Sequence, residues 1–374
     1  MNVCVTGWYG SETLGDRGIL LGIIEILSHI DRELKVELGS LYPFFTERTI
    51  FLDQDAYKEA CPDIEFHIFN ERKENELYDS ISKSEVVIMG GGPIMDIEDT
   101  KIIRKAFRFA KANNKKTILF GVGIGPLREK RYIRVVRDII KDTDLCIFRD
   151  EVAEDYCESV FNRSEGTCVL PDPAFVAAVC FKENNRPIEK KEYIAVNLRE
   201  FPGIYGEISF SLNDEIKKLF TVLDREYSDI KLIPMHDFFH GGDDRTYFAN
   251  LLYDSNYENI KAFTEPISIN KLFSLYAEAQ ACIAMRYHAA AFQSILNGNN
   301  YILDYTEPNN GKITGLLSGL DTDFYSDRYV CLQTTHEIDG NGIISKLREG
   351  NAYDYKEDYE TVVKNYLEIL KKVM

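Results

Sequence analysis

The sequence has no excess of basic residues. Its 374 residues include 44 lysines and arginines against 61 aspartates and glutamates, so the formal net charge is -17 at pH 7. Non-specific binding to nucleic acid and electrostatic binding to an anionic membrane both depend on a basic surface. The composition therefore excludes nucleic acid as a partner, and it predicts that any anionic ligand is bound by cations gathered at one place.

Long apolar runs and targeting signals are also lacking. The most apolar stretch, residues 18–27, is too short to span a bilayer and contains Glu25, so it predicts a buried helix. Residues 1–7 start as a strand, without a basic leader followed by an apolar run. We therefore expect a cytoplasmic protein with no transmembrane segment, and peripheral contact with a membrane stays open. The oligomeric state is not predicted.

Cofactor and metal motifs are missing as well. Eight cysteines are scattered without a C-x-x-C pair, and several lie in strand-like runs, for example Cys4, Cys146 and Cys282. This pattern indicates buried, reduced thiols instead of disulfides or a zinc site. No turn carries the G-x-G-x-x-G fingerprint with an acidic partner, and no G-x-x-x-x-G-K-[ST] loop occurs. We expect no cofactor.

Strand-like and helix-like segments alternate along the whole chain, which is typical of parallel βα units in an α/β fold. The predicted strands cover residues 2–6, 34–40, 64–69, 85–89, 116–122, 144–148, 167–170, 193–198, 230–235, 258–263, 281–285, 300–304 and 329–332. The predicted helices cover residues 16–30, 101–113, 130–142, 150–161, 213–227, 243–253, 267–279, 288–297 and 310–319.

Two domains and a terminal helix are expected from the chain length and from the breaks in this pattern. The segment from Pro171 to Pro187 interrupts the alternation and is interpreted as a crossing between domains. Apolar residues of the tail recur at helical spacing, which predicts a docking helix. The expected divisions are an N-terminal domain at 1–180, a C-terminal domain at 188–348 and the docking helix at 353–374.

The segment 285–290 is the main candidate for chemistry. It follows the apolar run 281–284 and opens a helical pattern, which puts Arg286 and His288 at a strand-to-helix switch. Ligands of open α/β sheets bind beyond the carboxyl ends of the strands, where a helix N-terminus favours anions. A fixed cation beside an imidazole, which changes charge near neutral pH, therefore predicts an anion-handling site. The alternative is a helix cap with a half-buried histidine.

Other cations occur at comparable positions. Arg149 and Arg199 each end a predicted strand, and Lys312 begins a helix after the strand 300–304. Arginine matches carboxylate and phosphate groups in a bidentate manner, whereas lysine acts as a point charge. The set predicts a compact ligand that carries both groups. For Arg149, a surface ion pair with Asp150 is an equally good interpretation.

Two further segments have open interpretations. Glycine-rich turns at 7–16, 90–93 and 121–126 all follow predicted strands, although tight strand-to-helix turns would explain each one alone. The segment 234–245 contains two histidines and three aspartates, but it lacks the spacing of a metal site. We expect no metal there, with Asp243 as a helix cap and His236 or Asp237 as a polar contact that faces the cleft.

Taken in order, these motifs resemble the polysaccharide pyruvyl transferase family over about residues 1–320. The resemblance rests on the turn at 7–16, the glycines at 90–92, the segments 121–126, 148–151, 171–175 and 285–288, the pair Asp304–Tyr305, and Lys312. It implies two Rossmann-like domains facing across a cleft in a glycosyltransferase-B-like arrangement. It also implies transfer of a pyruvyl group from phosphoenolpyruvate to two hydroxyls of a sugar, with formation of a cyclic ketal and release of phosphate.

The resemblance also implies roles for single residues. Arg286, Arg149 and Lys312 match family positions that bind phosphoenolpyruvate; His288, with Arg286, matches the catalytic element, and Arg199 is added because it ends a strand. The expected acceptor contacts are Gly10, Glu12, Asp16, Gly91, Gly92 and Asp237. The acceptor would be a sugar or a lipid-linked glycan of the cell envelope. The chain departs from the family pattern at Glu12, before the Gly-Asp pair, and in a longer loop before Lys312.

Two other functions fit the same residues. A glycosyltransferase-B-type enzyme that uses a nucleotide sugar would need similar cations for a diphosphate. A noncatalytic sugar or anion sensor could have the same fold. Thermal stabilisation by phosphoenolpyruvate or by nucleoside diphosphates distinguishes a pyruvyl transferase from the nucleotide-sugar enzyme. Phosphate release that depends on an acceptor distinguishes a pyruvyl transferase from the sensor.

Overall fold

A computed structural model describes residues 1–11, 13–238, 241–309 and 311–374 of the chain. The strands are β1 (Asn2–Thr6), β2 (Lys35–Ser40), β3 (Glu65–Asn70), β4 (Val86–Met89), β5 (Pro93–Ile94), β6 (Lys116–Ile124), β7 (Leu145–Phe148), β8 (Thr167–Val169), β9 (Lys191–Val196), β10 (Ile230–Leu232), β11 (Ile260–Ala262), β12 (Ala279–Ala284), β13 (Asn300–Asp304) and β14 (Tyr329–Cys331). The predicted strands are confirmed, with ends that differ by a few residues.

The helices include several that the sequence pattern did not predict. They are α1 (Leu14–Ser28), α2 (Pro43–Leu52), α3 (Gln54–Ala60), α4 (Glu74–Lys83), α5 (Thr100–Ala112), α6 (Lys130–Lys141), α7 (Glu151–Phe161), α8 (Pro173–Asn184), α9 (Leu212–Glu226), α10 (Asp244–Leu252), α11 (Ile269–Glu278), α12 (Tyr287–Leu296), α13 (Lys312–Ser318), α14 (Thr322–Tyr325), α15 (Gly340–Arg348) and α16 (Tyr359–Leu370). Of these, α2, α3, α4, α8, α14 and α15 were not predicted.

The chain divides by its internal contacts into two units. Unit 1 comprises Met1–Ala177 and Glu357–Met374, and unit 2 comprises Ala178–Lys356. The tail helix α16 therefore belongs to unit 1, where Tyr366 stacks on Phe120 with ring centroids 5.2 Å apart. Each unit contains its own parallel sheet and its own buried core, which confirms the predicted α/β class.

In unit 1 the strand order is β3-β2-β1-β4-β6-β7-β8, with the short β5 paired to β6. Both neighbours of β1 are parallel to it, with Val3 opposite Val36 on one side and Val86 on the other. The core contains Phe107, packed with the strands. The helix α1 is buried from Leu14 to Leu27, which confirms the prediction of a buried helix for this apolar stretch.

In unit 2 the strand order is β11-β10-β9-β12-β13-β14, again with parallel pairing. The order reverses between β9 and β12, where Val196 lies opposite Ile283. In unit 1 the corresponding reversal lies between β1 and β4. Such a switch point opens a crevice beyond the carboxyl ends of its two strands, where α/β proteins bind their ligands.

The segment from Pro171 to Pro187 differs from the prediction. It was interpreted as a break in regular structure, but Pro173 begins the helix α8. Proline fits the first turn of a helix because the N–H that it lacks would have no intrahelical partner there. The Asp172 carboxylate accepts a hydrogen bond from Ala174 N at 3.0 Å, which satisfies one N–H of that turn.

Two further expectations can be compared with the structure. In the described ranges, no helix combines the length and the apolarity that crossing a bilayer requires. No disulfide joins any of the eight cysteines, all of which are described. Burial raises the pKa of the Cys146 thiol to about 12, so this thiol stays protonated and unreactive at neutral pH.

Candidate anion site of unit 2

Asn197 organises the switch point of unit 2. It follows β9 and is fully buried. Its amide nitrogen donates to the Ile233 carbonyl at 3.0 Å, and its amide oxygen accepts from the backbone N–H of Arg286 at 3.1 Å. One side chain thus ties β9, the residue after β10 and the start of α12 together, and it fixes the backbone from which Arg286 projects.

The Arg286 side chain is held by Asp244, at the start of α10. The guanidinium Nε lies 2.8 Å from Oδ2 and Nη2 lies 2.5 Å from Oδ1, with 12% of the arginine and 1% of the aspartate side chain exposed. Burial acts to lower the pKa of Arg286, but Asp244 outweighs it and the net shift is upward. Within the described residues Nη1 makes no hydrogen bond, so it can donate to a ligand.

Arg199 and Lys312 converge on Tyr305, which follows β13. Arg199 Nη1 lies 3.4 Å from the Tyr305 hydroxyl, and its guanidinium carbon lies 4.8 Å from the ring centroid. Lys312 begins α13, and its Nζ lies 5.2 Å from the Tyr305 ring and 5.3 Å from the ring of Tyr205. We call Arg199, Arg286, Lys312 and the enclosed Tyr305 the cation cluster.

Two members of the cation cluster have no carboxylate counter-ion. In the described part of the chain, neither Arg199 nor Lys312 forms an ion pair with an aspartate or glutamate, whereas Arg286 has Asp244. Burial and the neighbouring Arg286 charge lower the pKa of Arg199. Positive charges that are partly removed from water without a counter-ion attract an anion.

A cavity of about 560 Å³ adjoins the cluster. Arg199 and Arg286 form part of its wall, together with Asn213, Tyr247 and Asn250. Its volume falls within the usual range for small-molecule sites. A ligand in this cavity can therefore contact two of the three cations and several polar groups.

His288 lies on α12, two residues after Arg286. Its ring packs edge-on against Tyr287, with centroids 4.9 Å apart, and lies 5.9 Å from the ring of Phe292. The side chain is partly buried. The structure thus places His288 at the same switch point, while its recorded ring contacts are with aromatic neighbours.

Arg149 lies in unit 1, whereas the residues of the cation cluster lie in unit 2. Its guanidinium is 2% exposed, with Nη1 3.3 Å from Asp172 Oδ2 and Nε 3.6 Å from Asp150 Oδ2. The interpretation as a surface pair is wrong, because all three side chains are buried. A Cβ at Gly123 would lie 3.0 Å from the guanidinium, so glycine lets the backbone of β6 pack closely against Arg149.

Four of the expected acceptor residues lie at the switch point of unit 1. Gly10 follows β1, Asp16 lies in the first turn of α1, and Gly91 and Gly92 follow β4. Gly92 has φ +68°, and a Cβ there would lie 2.8 Å from the Trp8 ring, so the close approach requires glycine. Glu12, the fifth residue of this expected group, lies outside the described residues.

Asp237 lies in unit 2, whereas these glycines lie in unit 1. It is buried, and its backbone carbonyl accepts from Arg245 Nη2 at 2.6 Å. Asp243 caps α10 by accepting from Arg245 N, which confirms its predicted role. Phe239 and His240 of the same segment lie outside the described residues. The described part of the chain contains no group of three or more potential metal ligands.

Sequence reasoning missed the residues that position the cluster. Gln333, after β14, directs its amide nitrogen at the backbone carbonyls of Thr306, Tyr205 and Tyr305, at 2.7, 3.1 and 3.3 Å. Asn197 and Asp244 act on Arg286 in a similar way. Asn197 lies two residues before Arg199 at the same strand end, and this position is the sequence signal that could have identified it. No local pattern points to Gln333, because its partners are distant in sequence.

The fold and site can now be compared with known proteins. A UDP-GlcNAc 2-epimerase from Methanocaldococcus jannaschii has a TM-score of 0.59 at 11% identity, with 100% of both chains covered. The enzyme of that name from Neisseria meningitidis gives 0.56 at 10% identity, and Anabaena HepE gives 0.58 at 10% identity, again with full coverage of both chains. These likenesses define a glycosyltransferase-B-like α/β fold.

The family follows from the sequence. A profile of the polysaccharide pyruvyl transferase family matches residues 54–305, which is more than half of the chain. The chain belongs to the polysaccharide pyruvyl transferase family, a family of transferases. No curated protein matches it by sequence.

Proposed function

We propose that the protein transfers a pyruvyl group from phosphoenolpyruvate to two hydroxyls of a sugar. The product is a cyclic ketal on a cell-envelope glycan or its precursor, and phosphate is released. Family membership supports the reaction class, and the cation cluster supports the donor. The observation that carries the proposal is that Arg199 and Lys312 have no carboxylate counter-ion in the described chain and lie beside Arg286.

The donor chemistry suits this cluster. Phosphoenolpyruvate carries a carboxylate and a phosphate, and the cluster offers two guanidinium groups and one ammonium group. Arginine pairs with either anionic group through parallel N–H bonds, and Lys312 adds a mobile charge. Arg286 Nη1 and Arg199 Nη2 have no hydrogen-bond partner among the described residues, so both can donate to the ligand. Arg149 remains a further proposed donor contact in unit 1.

The reaction needs two protons to move. The first hydroxyl adds to the central carbon of the donor and gives up its proton, while the methylene carbon takes a proton to become a methyl group. The second hydroxyl then displaces phosphate at the same carbon, and its proton leaves with the phosphate. We assign the protonation of the methylene carbon to His288, because its imidazole lies two residues after Arg286 at the same switch point and imidazole is a common general acid.

The acceptor would bind through the loops at the switch point of unit 1. Gly10, Asp16, Gly91 and Gly92 lie there, and the glycines let backbone approach a ligand closely. Glu12 and Asp237 are retained as proposed acceptor contacts. This assignment is tested by Asp16→Ala, for which we expect a raised KM for the acceptor and an unchanged KM for the donor.

The decisive experiment combines phosphoenolpyruvate with nitrophenyl and lipid-linked glycosides. We expect phosphate release that requires both substrates, and a product whose mass has increased by a pyruvate ketal. Release without an acceptor, or no release with any diol, would contradict the proposal. If the substrates bind but no product forms, the result would favour the sugar or anion sensor.

A nucleotide-sugar enzyme is the second candidate. The observation in its favour is that the structures of two neighbours, the Methanocaldococcus jannaschii epimerase and Anabaena HepE, are complexes with UDP. Thermal unfolding with phosphoenolpyruvate, UDP or GDP separates the two functions, because a ligand that binds the native state raises Tm. We expect stabilisation by phosphoenolpyruvate, whereas stabilisation by a nucleotide alone would favour this second candidate.

A further inference from the structure

The phenol of Tyr305 occupies an unusual place for a neutral group. Its side chain is buried, with 1% of the residue exposed, and Arg199 Nη1 lies 3.4 Å from its oxygen. The Arg199 guanidinium lies over its ring, and Lys312 Nζ lies 5.2 Å from the ring centroid. Two cations thus lie against one buried phenol, and the charge of Arg286 also acts on it.

The groups around Tyr305 leave an excess of positive charge. Asp244 neutralises Arg286, but Arg199 and Lys312 lack carboxylate partners among the described residues. The adjacent Asp304 carboxylate accepts hydrogen bonds from Thr306 and Tyr329. The Tyr205 ring packs edge-on against the Tyr305 ring, with centroids 5.3 Å apart. Of these two phenols, Tyr305 accepts the hydrogen bond from Arg199.

We propose that Tyr305 is the internal counter-anion of the cation cluster at alkaline pH, ionised when the site is empty and reprotonated when a phosphate-bearing ligand binds. The identity of that ligand as phosphoenolpyruvate or phosphate rests on the proposed function. Tyr305 is a positioning residue in this proposal, because it acts on the ligand through Arg199 and Lys312. The proton comes from solvent on binding and returns to solvent on release.

The direction of the ionisation agrees with this role. Burial alone would raise the pKa of Tyr305, but Lys312, Arg199 and Arg286 together lower it to about 8. Below that pH the phenol is neutral, and above it the phenolate compensates the cluster. A bound dianion adds negative charge beside the phenol and so raises its pKa again.

This coupling has a consequence for turnover. Above pH 8 a ligand anion must displace a resident negative charge, and each bound ligand takes up one proton. Affinity for the anion should therefore fall about tenfold per pH unit in that range. The negative charge of the Tyr305 phenolate also helps phosphate to leave, because the phenolate can take the place of phosphate beside Arg199 and Lys312.

The test uses the near-ultraviolet absorbance of tyrosinate in the full chain. The protein contains 22 tyrosines, so the wild-type spectrum is compared with those of Tyr305→Phe and the matched control Tyr205→Phe. We expect one tyrosine that titrates near pH 8 in the wild type and in Tyr205→Phe but not in Tyr305→Phe. Saturating inorganic phosphate should move this titration to higher pH.

A second measurement gives the dissociation constant of inorganic phosphate against pH for the wild type and Tyr305→Phe. The ratio of the two constants cancels the ionisation of phosphate itself, and we expect it to change about tenfold per pH unit above 8. A flat ratio, or no difference in tyrosinate titration, would overturn the proposal. If Tyr305→Phe does not fold, proton uptake by the wild type on phosphate binding decides: one proton above pH 8 supports it, and none refutes it.

The Tyr305 proposal can fail or succeed independently of the proposed function. Tyrosinate titration and phosphate-linked proton uptake without any ketal formation would leave the Tyr305 proposal standing and remove the proposed reaction. Ketal formation with no titrating tyrosine near pH 8 would do the reverse. The two proposals therefore fail on different readouts.

Discussion

Arg286 and Asp244 form a buried bidentate ion pair that serves both the site and the fold. Asp244 Oδ2 also accepts the backbone N–H groups of Met235 and His236, at 3.0 and 3.2 Å. The pair therefore connects α10, the segment after β10 and the start of α12. Substitution of either residue should affect stability as well as ligand binding, and the two effects have to be measured separately.

Arg286→Ala should lower both stability and donor affinity. It leaves the Asp244 carboxylate, which is 1% exposed, without its partner, and breaking a buried pair costs roughly 3–5 kcal/mol. Urea unfolding followed by circular dichroism measures this loss. Arg225→Ala is the matched control, since its pair with Glu226 lies at the surface and should contribute less than about 1 kcal/mol. Equal losses for the two variants would contradict the structural role of the pair.

Arg199→Gln and Lys312→Gln should lower donor affinity while stability changes little. Neither side chain has a carboxylate partner in the described chain, so removal of its charge leaves no buried carboxylate uncompensated. Loss of a charged hydrogen bond to the donor costs roughly 1.5–3 kcal/mol, or about 10- to 150-fold in affinity. Isothermal titration with phosphoenolpyruvate measures affinity, and urea unfolding should give a stability close to the wild type. The exposed Lys271→Gln is the control, because the Lys271 side chain forms no ion pair with a described residue.

The sequence predicted the cations of the site better than their partners. Arg199, Arg286 and Lys312 each follow a strand of one parallel sheet, and parallel strands bring their carboxyl ends to one edge. Asp244 is distant from Arg286 in sequence, and its role depends on how α10 packs, which no local pattern encodes. Arg149, which is expected in the same set, lies in unit 1, and its contact with the donor stays a prediction.

Gln333→Met should disturb the cluster without removing any charge. The substitution keeps the length of the side chain but removes the donor for the carbonyls of Tyr205, Tyr305 and Thr306. A buried acceptor that loses its donor costs roughly 1–3 kcal/mol. We expect a higher KM for the donor and a lower Tm. Gln280→Met at an exposed position of β12 is the control, and identical behaviour of both variants would refute the positioning role of Gln333.

His288→Ala tests the proton assignment. If His288 supplies the proton to the methylene carbon, kcat should fall roughly 10²- to 10⁴-fold while donor affinity changes little. Steady-state kinetics and titration with phosphoenolpyruvate separate the two quantities. His336→Ala is the control, because His336 is an exposed residue that contacts Ser209. Near-normal turnover of His288→Ala would transfer the proton role to another group.

Three of the missed helices have a physical reason. Helices α2 and α3 lie outside the regular βα alternation, and α2 exposes Phe44 and Phe51 in place of a clean apolar stripe. Helix α8 is apolar over most of its length, so it lacks the alternation of an amphipathic helix, and its flanking prolines favoured a crossing between domains. Periodicity detects elements that are half buried; it misses those that are buried or exposed all round.

Glu71 gives unit 1 a pH-dependent stability that is independent of the anion site. The residue is 2% exposed just after β3, and burial, followed by repulsion from Asp99, raises its pKa from 4.5 to about 8. The native state therefore holds a proton that the unfolded state releases above pH 4.5. Stability should fall as pH rises, by about 1.4 kcal/mol per unit, and level off above pH 8.

Glu71→Gln should remove this contribution, because the amide resembles the protonated acid and does not ionise. Relative to the wild type, the variant should gain stability progressively between about pH 5 and pH 8. Trp8 is the single tryptophan and lies in unit 1, so its fluorescence during urea unfolding reports on the unit that contains Glu71. The exposed Glu59→Gln should run parallel to the wild type at every pH. A constant difference between Glu71→Gln and the wild type would mean that Glu71 is ionised in the native protein throughout this range.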